Sequence, residues 1–221
     1  MNQLYENFKT LKNLVVKQSN LLAVSKNHPP HLIEEVYSFG QRDFGENKVQ
    51  ELIEKSIELS HLDEIKWHFI GSLQKNKINK LLEVKHLVAI HSVDSIELLE
   101  KILSKKISNK IGLFLQVNTS NEAEKSGFED ISMLHNAAEL ILKNSSFILQ
   151  GLMTIGKIRT DNFQEDAKKS FSSLVDIKNI LDQKYDLDLE LSMGMSQDFE
   201  IAMRYNSSWV RLGSSLFGER L

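Results

Sequence analysis

Eight short buried-strand candidates separated by amphipathic stretches constrain this chain more than any other feature. The runs are Leu21–Val24, Asp43–Glu46, Lys66–Ile70, Leu87–His91, Ile111–Asn118, Phe147–Thr154, Leu189–Met193 and Trp209–Leu212. Leu21-Leu22-Ala23-Val24 is continuously apolar rather than alternating, as expected of a strand buried on both faces of a parallel sheet, and the others read as further buried-strand candidates. Between them lie helical patterns. Leu134, Ala137, Ala138, Ile141 and Leu142 form one apolar face, and Phe171, Leu174 and Leu181 mark another. Pro29 and Pro30 open a helix that Gly40 ends. Asp94 is placed to cap a further one, with Glu97 in a capping-box position. A helix with Leu4, Phe8, Leu11 and Val15 on one stripe precedes the first strand.

Strands alternating with helices imply an α/β protein with parallel strands. About eight such units in 221 residues suit a closed (β/α)8 TIM barrel, with an extra N-terminal helix, better than an open sheet. A doubly wound sheet is disfavoured because no Gly-x-Gly-x-x-Gly follows the first strand. The length suits one domain spanning 1–221.

The net charge of −3 gives no electrostatic case for nucleic-acid binding. The absence of cysteine excludes disulfides, thiolate metal sites and a cysteine nucleophile. Met1–Thr10 lacks the apolar core of a signal peptide, and no apolar run approaches the ~20 residues of a membrane helix. A cytoplasmic location without membrane attachment is the expectation.

Chemistry in such a barrel sits at the C-terminal strand ends. The first run ends in Ser25-Lys26, the second in Glu46-Asn47 and the last in Gly213-Ser214; the seventh leads into Ser192-Met193-Gly194-Met195-Ser196. A lysine leaving a buried strand toward the mouth loses hydration and becomes a nucleophilic amine for Schiff-base formation. A surface lysine in a strand-to-helix loop has the same sequence appearance. The segments around Ser192–Ser196 and Gly213-Ser214 offer hydroxyls and backbone N–H groups suited to a phosphate, or form ordinary turns. Arg211, inside the eighth run, requires a partner. That partner is either the ring nitrogen of a bound cofactor or a carboxylate such as Glu46. His68 and His91 read more simply as packed, hydrogen-bonded histidines than as reactive ones, and no histidine spacing supports a metal site. The lysines Lys75, Lys77 and Lys80 read as the solvated face of a helix.

These motifs together carry a resemblance. Leu22-Ala23-Val24-Ser25-Lys26, Phe44-Gly45-Glu46-Asn47, Trp67-His68-Phe69-Ile70-Gly71, Gln116-Val117-Asn118 and Lys125-Ser126-Gly127 occur in order. Gly151-Leu152-Met153-Thr154, Leu191–Ser196 and Val210-Arg211-Leu212-Gly213-Ser214 follow. The chain resembles the pyridoxal phosphate homeostasis proteins, relatives of the alanine racemase barrel. The resemblance implies a fold-type III barrel that binds pyridoxal 5′-phosphate (PLP) as a Schiff base at Lys26. It implies a phosphate cradle of Ser196, Gly213 and Ser214 with Ser192 as a further candidate, Arg211 at the pyridine nitrogen and Asn47 in the pocket. It also implies a monomeric, non-enzymatic carrier or buffer in vitamin B6 homeostasis, with apo PLP-dependent enzymes as recipients. The alternative is an amino-acid racemase. That reading is disfavoured because alanine racemase takes its second base from an additional β-domain of the partner subunit. One departure is Asn27-His28, where many relatives carry a second lysine.

Overall fold

The computed structural model describes residues 2–15, 19–120, 126–157 and 160–218. Eight parallel strands close into a barrel in chain order: β1 (Asn20–Val24), β2 (Asp43–Glu46), β3 (Lys66–Phe69), β4 (Leu87–Val93), β5 (Ile111–Gln116), β6 (Phe147–Met153), β7 (Glu190–Met195) and β8 (Trp209–Leu212). β8 returns to pair with β1, with Leu22 opposite Arg211 and Ala23 opposite Leu212. Every expected run is a strand, with ends displaced by a few residues. β4 runs on to Val93 and β7 to Met195, whereas β3 and β6 stop one residue early.

α1 (Gln3–Val15) buries Leu4, Phe8, Leu11 and Val15, the stripe its periodicity implies. α2 (Pro30–Ser38) begins at Pro30 with Pro29 as its N-cap, because a fixed φ and a missing N–H suit the first turn. α3 is Val49–Glu58, α4 Ile78–Leu82, α5 Ile96–Leu103, α6 Ile131–Leu142, α7 Phe163–Tyr185, α8 Phe199–Arg204 and α9 Ser214–Phe217. In α6, Leu134, Ala137, Ala138 and Ile141 are buried, but Leu142 is 46% exposed. Eight residues along a helix rotate it about 80° from Leu134, off the buried face. The lysine run divides between a 3₁₀ turn at Lys75–Lys77 and α4, rather than lying on one helix.

The expected cap at Asp94 is corrected by one residue. Since β4 extends to Val93, Asp94 remains in the connection and Ser95 becomes the N-cap of α5. Ser95 Oγ accepts from the Leu98 amide at 3.4 Å, and its hydroxyl donates to Asp94 Oδ1 at 3.2 Å. Ser95→Ala is expected to cost about 1 kcal/mol in denaturant unfolding, and Asp94→Ala less than half of that. Equal losses would restore Asp94 as the cap.

Apolar side chains fill the space between strands and helices, with Trp67, Phe44, Phe69 and Phe171 among the largest fully buried. Inside the barrel a second cluster of Leu22, Ala89, Phe114, Met153 and Trp209 surrounds a polar column, described below. The barrel is therefore a packed core rather than a pore.

Candidate functional site

At the C-terminal ends of β1, β7 and β8, a cavity of about 260 Å³ is lined by Lys26, Ser196, Asp198, Arg211, Gly213 and Ser214. Val24, Ile70, Phe163 and Met195 supply its apolar wall. Lys26 sits in the turn between β1 and α2, where the flanking peptides are held firmly. Lys55 of α3 donates to the Ser25 carbonyl at 2.8 Å, and Glu51 accepts from the Asn27 amide at 2.6 Å. Lys55 also pairs with Glu46 and Glu51, each at 2.7 Å, and the Ser25 hydroxyl donates to the same Glu46 oxygen at 2.7 Å. Burial raises the Glu46 pKa, with Lys55 and Ser25 opposing. Burial also works against the Glu51 carboxylate, but Lys55 and the Asn27 amide outweigh it and lower its pKa. His28 stacks on Phe217 at 4.9 Å between centroids, joining the lysine turn to α9.

On the opposite wall, the Ser214 hydroxyl donates to Ser196 Oγ at 3.2 Å, and the Ser215 amide approaches the same oxygen at 3.4 Å. Two hydroxyls from separate strand ends thus meet at the lip. The register of β7 against β8 shifts between Ser192 and Met195. At Gly194 φ is +92°, and a Cβ would lie 2.6 Å from that of Ala202, so this turn requires glycine. The shift separates the two serines of the motif: Ser196 lines the cavity, while Ser192 is fully buried and does not.

Arg211 is buried and spans both regions. Its Nη1 donates to Ser192 O at 2.7 Å and Ser192 Oγ at 2.9 Å, and its Nη2 donates to Thr154 O at 2.8 Å. Burial lowers its pKa to about 10, with Asp198 opposing, so it remains charged at neutral pH. Of the two alternatives for Arg211, the pairing with Glu46 is not seen; Glu46 Oε1 pairs with Lys55 instead. The carboxylate acting on Arg211 is Asp198, which accepts from the Met195 amide at 2.6 Å. Burial raises the Asp198 pKa against the pull of Met195 and Arg211.

Asn47 follows β2 but does not line the cavity with Lys26. Its Oδ1 is buried without a hydrogen-bond partner. A Cβ on Gly71 would fall 2.0 Å from the Asn47 carbonyl oxygen, so Gly71 admits this close approach. Lys125 lies outside the described residues. Sequence reasoning missed Lys55, Thr154 and Asp198. Lys55 left a signal in the Glu51–Lys55 spacing on one helix face, and Thr154 in its place at the end of the sixth run.

Below Arg211 a column of side chains crosses the barrel. Ser192 Oγ lies 2.8 Å from His91 Nδ1, His91 Nε2 3.0 Å from His68 Nδ1, and His68 Nε2 3.1 Å from Asp43 Oδ1. His91 stacks on Phe114 at 4.1 Å. Both histidines are therefore packed and hydrogen-bonded, and among the described residues no cluster could hold a metal. Burial, followed by His68 and Arg211, holds the His91 pKa well below 6.5. Below pH 6.5 the unfolded chain takes up a proton that folded His91 refuses, so stability falls with acidity down to the folded pKa. The expected slope from this group reaches about 1.4 kcal/mol per pH unit. Unfolding midpoints compared between pH 7 and 5 should show a shallower dependence in His91→Gln, and an unchanged slope would contradict the assignment.

A larger depression of about 740 Å³, with His86, Lys105 and Lys110 on its rim, lies at the opposite end, before β4 and β5. It is remote from the strand ends where barrel chemistry resides. No helix among the described residues is long and apolar enough to cross a membrane.

The chain is similar to known proteins. The family profile described as "Alanine racemase, N-terminal domain" matches residues 1–221. The chain is 41% identical to the pyridoxal phosphate homeostasis protein of Bos taurus over 219 residues, spanning 95% of this chain and 80% of the relative. It is also 41% identical to that of Helicobacter pylori over 201 residues, spanning 90% and 87%. PipY of Synechococcus elongatus PCC7942, solved with PLP bound, superposes with a TM-score of 0.88 at 35% identity, covering 98% of this chain and 100% of that one. Alanine racemase from Corynebacterium glutamicum, at 13% identity and a TM-score of 0.75, shares the fold over 61% of its length. The chain belongs to the alanine racemase N-terminal domain family and, within it, to the pyridoxal phosphate homeostasis proteins.

Proposed function

We infer that this protein binds PLP in the Lys26 cavity and carries or buffers it, maintaining intracellular vitamin B6 without turning over a substrate. One observation carries the reading: an amine, a guanidinium and two adjoining hydroxyls, drawn from three strand ends, share one small cavity with an apolar wall. This set matches a flat aromatic aldehyde bearing a phosphate. When bound, the cofactor supplies an aldehyde that a lysine amine holds reversibly as a Schiff base.

In this reading residues 1–221 act as one cofactor-binding domain. Lys26 provides the amine; Ser196, Gly213 and Ser214 hold the phosphate; Arg211 meets the ring nitrogen; Ser192 supports Arg211 from below. The protein works as a cytoplasmic monomer whose recipients are apo PLP-dependent enzymes. The non-enzymatic reading rests on the residues present. A guanidinium only donates hydrogen bonds, so it leaves the ring nitrogen unprotonated and weakens the ring as an electron sink. Two-base racemisation needs an acid–base group on each face of the substrate carbon. The ionisable groups lining the cavity among the described residues are Lys26, Asp198 and Arg211, and Asp198 is already engaged by the Met195 amide.

The test is to incubate PLP-loaded protein with L-alanine and other L-amino acids in deuterated water. Chiral analysis and mass spectrometry are expected to show no inversion and only slow α-deuterium incorporation. Rapid multiple-turnover exchange that disappears in Lys26→Ala would establish a racemase.

A further inference from the structure

The column beneath Arg211 has one consistent arrangement of hydrogens, and Arg211 dictates it. Arginine only donates, so Ser192 Oγ must accept from Nη1. The serine's own hydrogen is then directed to its other partner, His91 Nδ1, which must be unprotonated. His91 consequently carries hydrogen on Nε2 and donates it to His68 Nδ1. His68 in turn carries hydrogen on Nε2 and donates it to Asp43, a carboxylate that only accepts when ionised. The cation at one end and the anion at the other agree on the same polarity. Reversal would leave the serine hydrogen without an acceptor and set a bare imidazole lone pair against the carboxylate.

We propose that Asp43, His68, His91 and Ser192 form a directed hydrogen-bond chain that positions Arg211 for the cofactor ring, with both imidazoles neutral and protonated on Nε2. The proposal rests on the PLP-binding reading for its last step only. Five strands supply the polar groups of the column, and Leu22, Phe114 and Met153 of the others pack around it. β2 brings Asp43, β3 His68, β4 His91, β7 Ser192 and β8 both Arg211 and the Trp209 ring that packs on His68 at 4.9 Å. Phe114 of β5 adds an apolar face against His91, which burial already keeps neutral. Ser192 and the Thr154 carbonyl together use both Nη1 hydrogens and one on Nη2, so the guanidinium plane is fixed from below. Asp43 stands at the first residue of β2, with 22% of its side chain exposed. The chain thus links the cofactor end of the barrel to the opposite end.

Two measurements test this. Long-range ¹H–¹⁵N spectra of ¹⁵N-histidine protein without PLP, assigned through His68→Gln and His91→Gln, should show both rings neutral and protonated on Nε2 at neutral pH. Asp43→Asn, whose amide can donate as well as accept, should give His68 a mixed tautomer population. In PLP-loaded protein, His91→Phe keeps the ring stack but severs the chain. It should weaken PLP binding roughly three- to tenfold, the worth of one hydrogen bond, and shift the pH midpoint of the visible imine band. His91→Gln, which can accept and donate, should restore both to near wild type. Either histidine protonated on Nδ1 in the wild type would overturn the chain, as would wild-type affinity and band titration in His91→Phe. If wild type forms no imine band, the PLP reading fails, while the spectra of the unloaded protein still decide the polarity.

Discussion

Borohydride treatment of the PLP-loaded protein is expected to fix the cofactor on the peptide containing Lys26, and Lys26→Ala is expected to lose the visible imine band entirely. The loss should be complete because a Schiff base needs a primary amine within reach of the aldehyde, and Lys26 is the lysine lining the cavity among the described residues. The amine is delivered by a turn whose two flanking peptides are tied to α3 through Lys55 and Glu51. That turn is braced against α9 by the His28–Phe217 stack. Lys26→Ala should still fold and still bind PLP weakly, since the serines and Arg211 remain. Mass spectrometry of the reduced, digested protein reads the site directly. Label found chiefly on Lys125 or another lysine would sink the assignment.

Pyridoxal lacking its phosphate is expected to bind at least about a hundredfold more weakly than PLP. Hydrogen bonds to a charged group are worth roughly 1.5–3 kcal/mol each, so losing two already exceeds that factor. Ser196 and Ser214 come from different strand ends, with their hydroxyls 3.2 Å apart. Both can therefore turn toward one anion, and their contributions are expected to be coupled. Ser196→Ala and Ser214→Ala should each cost about tenfold, less than removing the phosphate itself. Titration by fluorescence or calorimetry gives the comparison. Equal affinities for the two ligands would show that the ends of β7 and β8 are not the phosphate cradle.

The barrel was legible because parallel strands buried on both faces leave continuous apolar runs, and the intervening helices keep an amphipathic period. The site was legible in part for a related reason: strand ends mark the mouth, and Lys26, Ser196, Gly213 and Ser214 all sit there. Ser192 shows the limit. It lies four residues from Ser196 in one motif, and composition gives both the same credentials. The register shift in β7 and the left-handed turn at Gly194 send one to the mouth and the other into the interior. The two alternatives for Arg211 stayed open in the sequence because the group that pairs with Glu46, Lys55, comes from a helix on the outer layer. The cap slipped from Asp94 to Ser95 because strand length depends on neighbouring strands, which local sequence does not specify.

The closure between β1 and β8 has a consequence for biosynthesis. Lys26 follows the first strand of the barrel, and Ser214 follows the last. The Ser19 hydroxyl reaches the Ser207 carbonyl at 2.6 Å, and the Asn20 amide reaches that of Ser208 at 2.8 Å, across a sequence separation of 188 residues. Until β8 is made, β1 has one open edge, and Lys26 and Ser214 do not share a cavity. Such long-range closure is late and slow compared with local helix formation. If the proposed site is right, a stable visible imine band is expected only once the last strand has closed on the first.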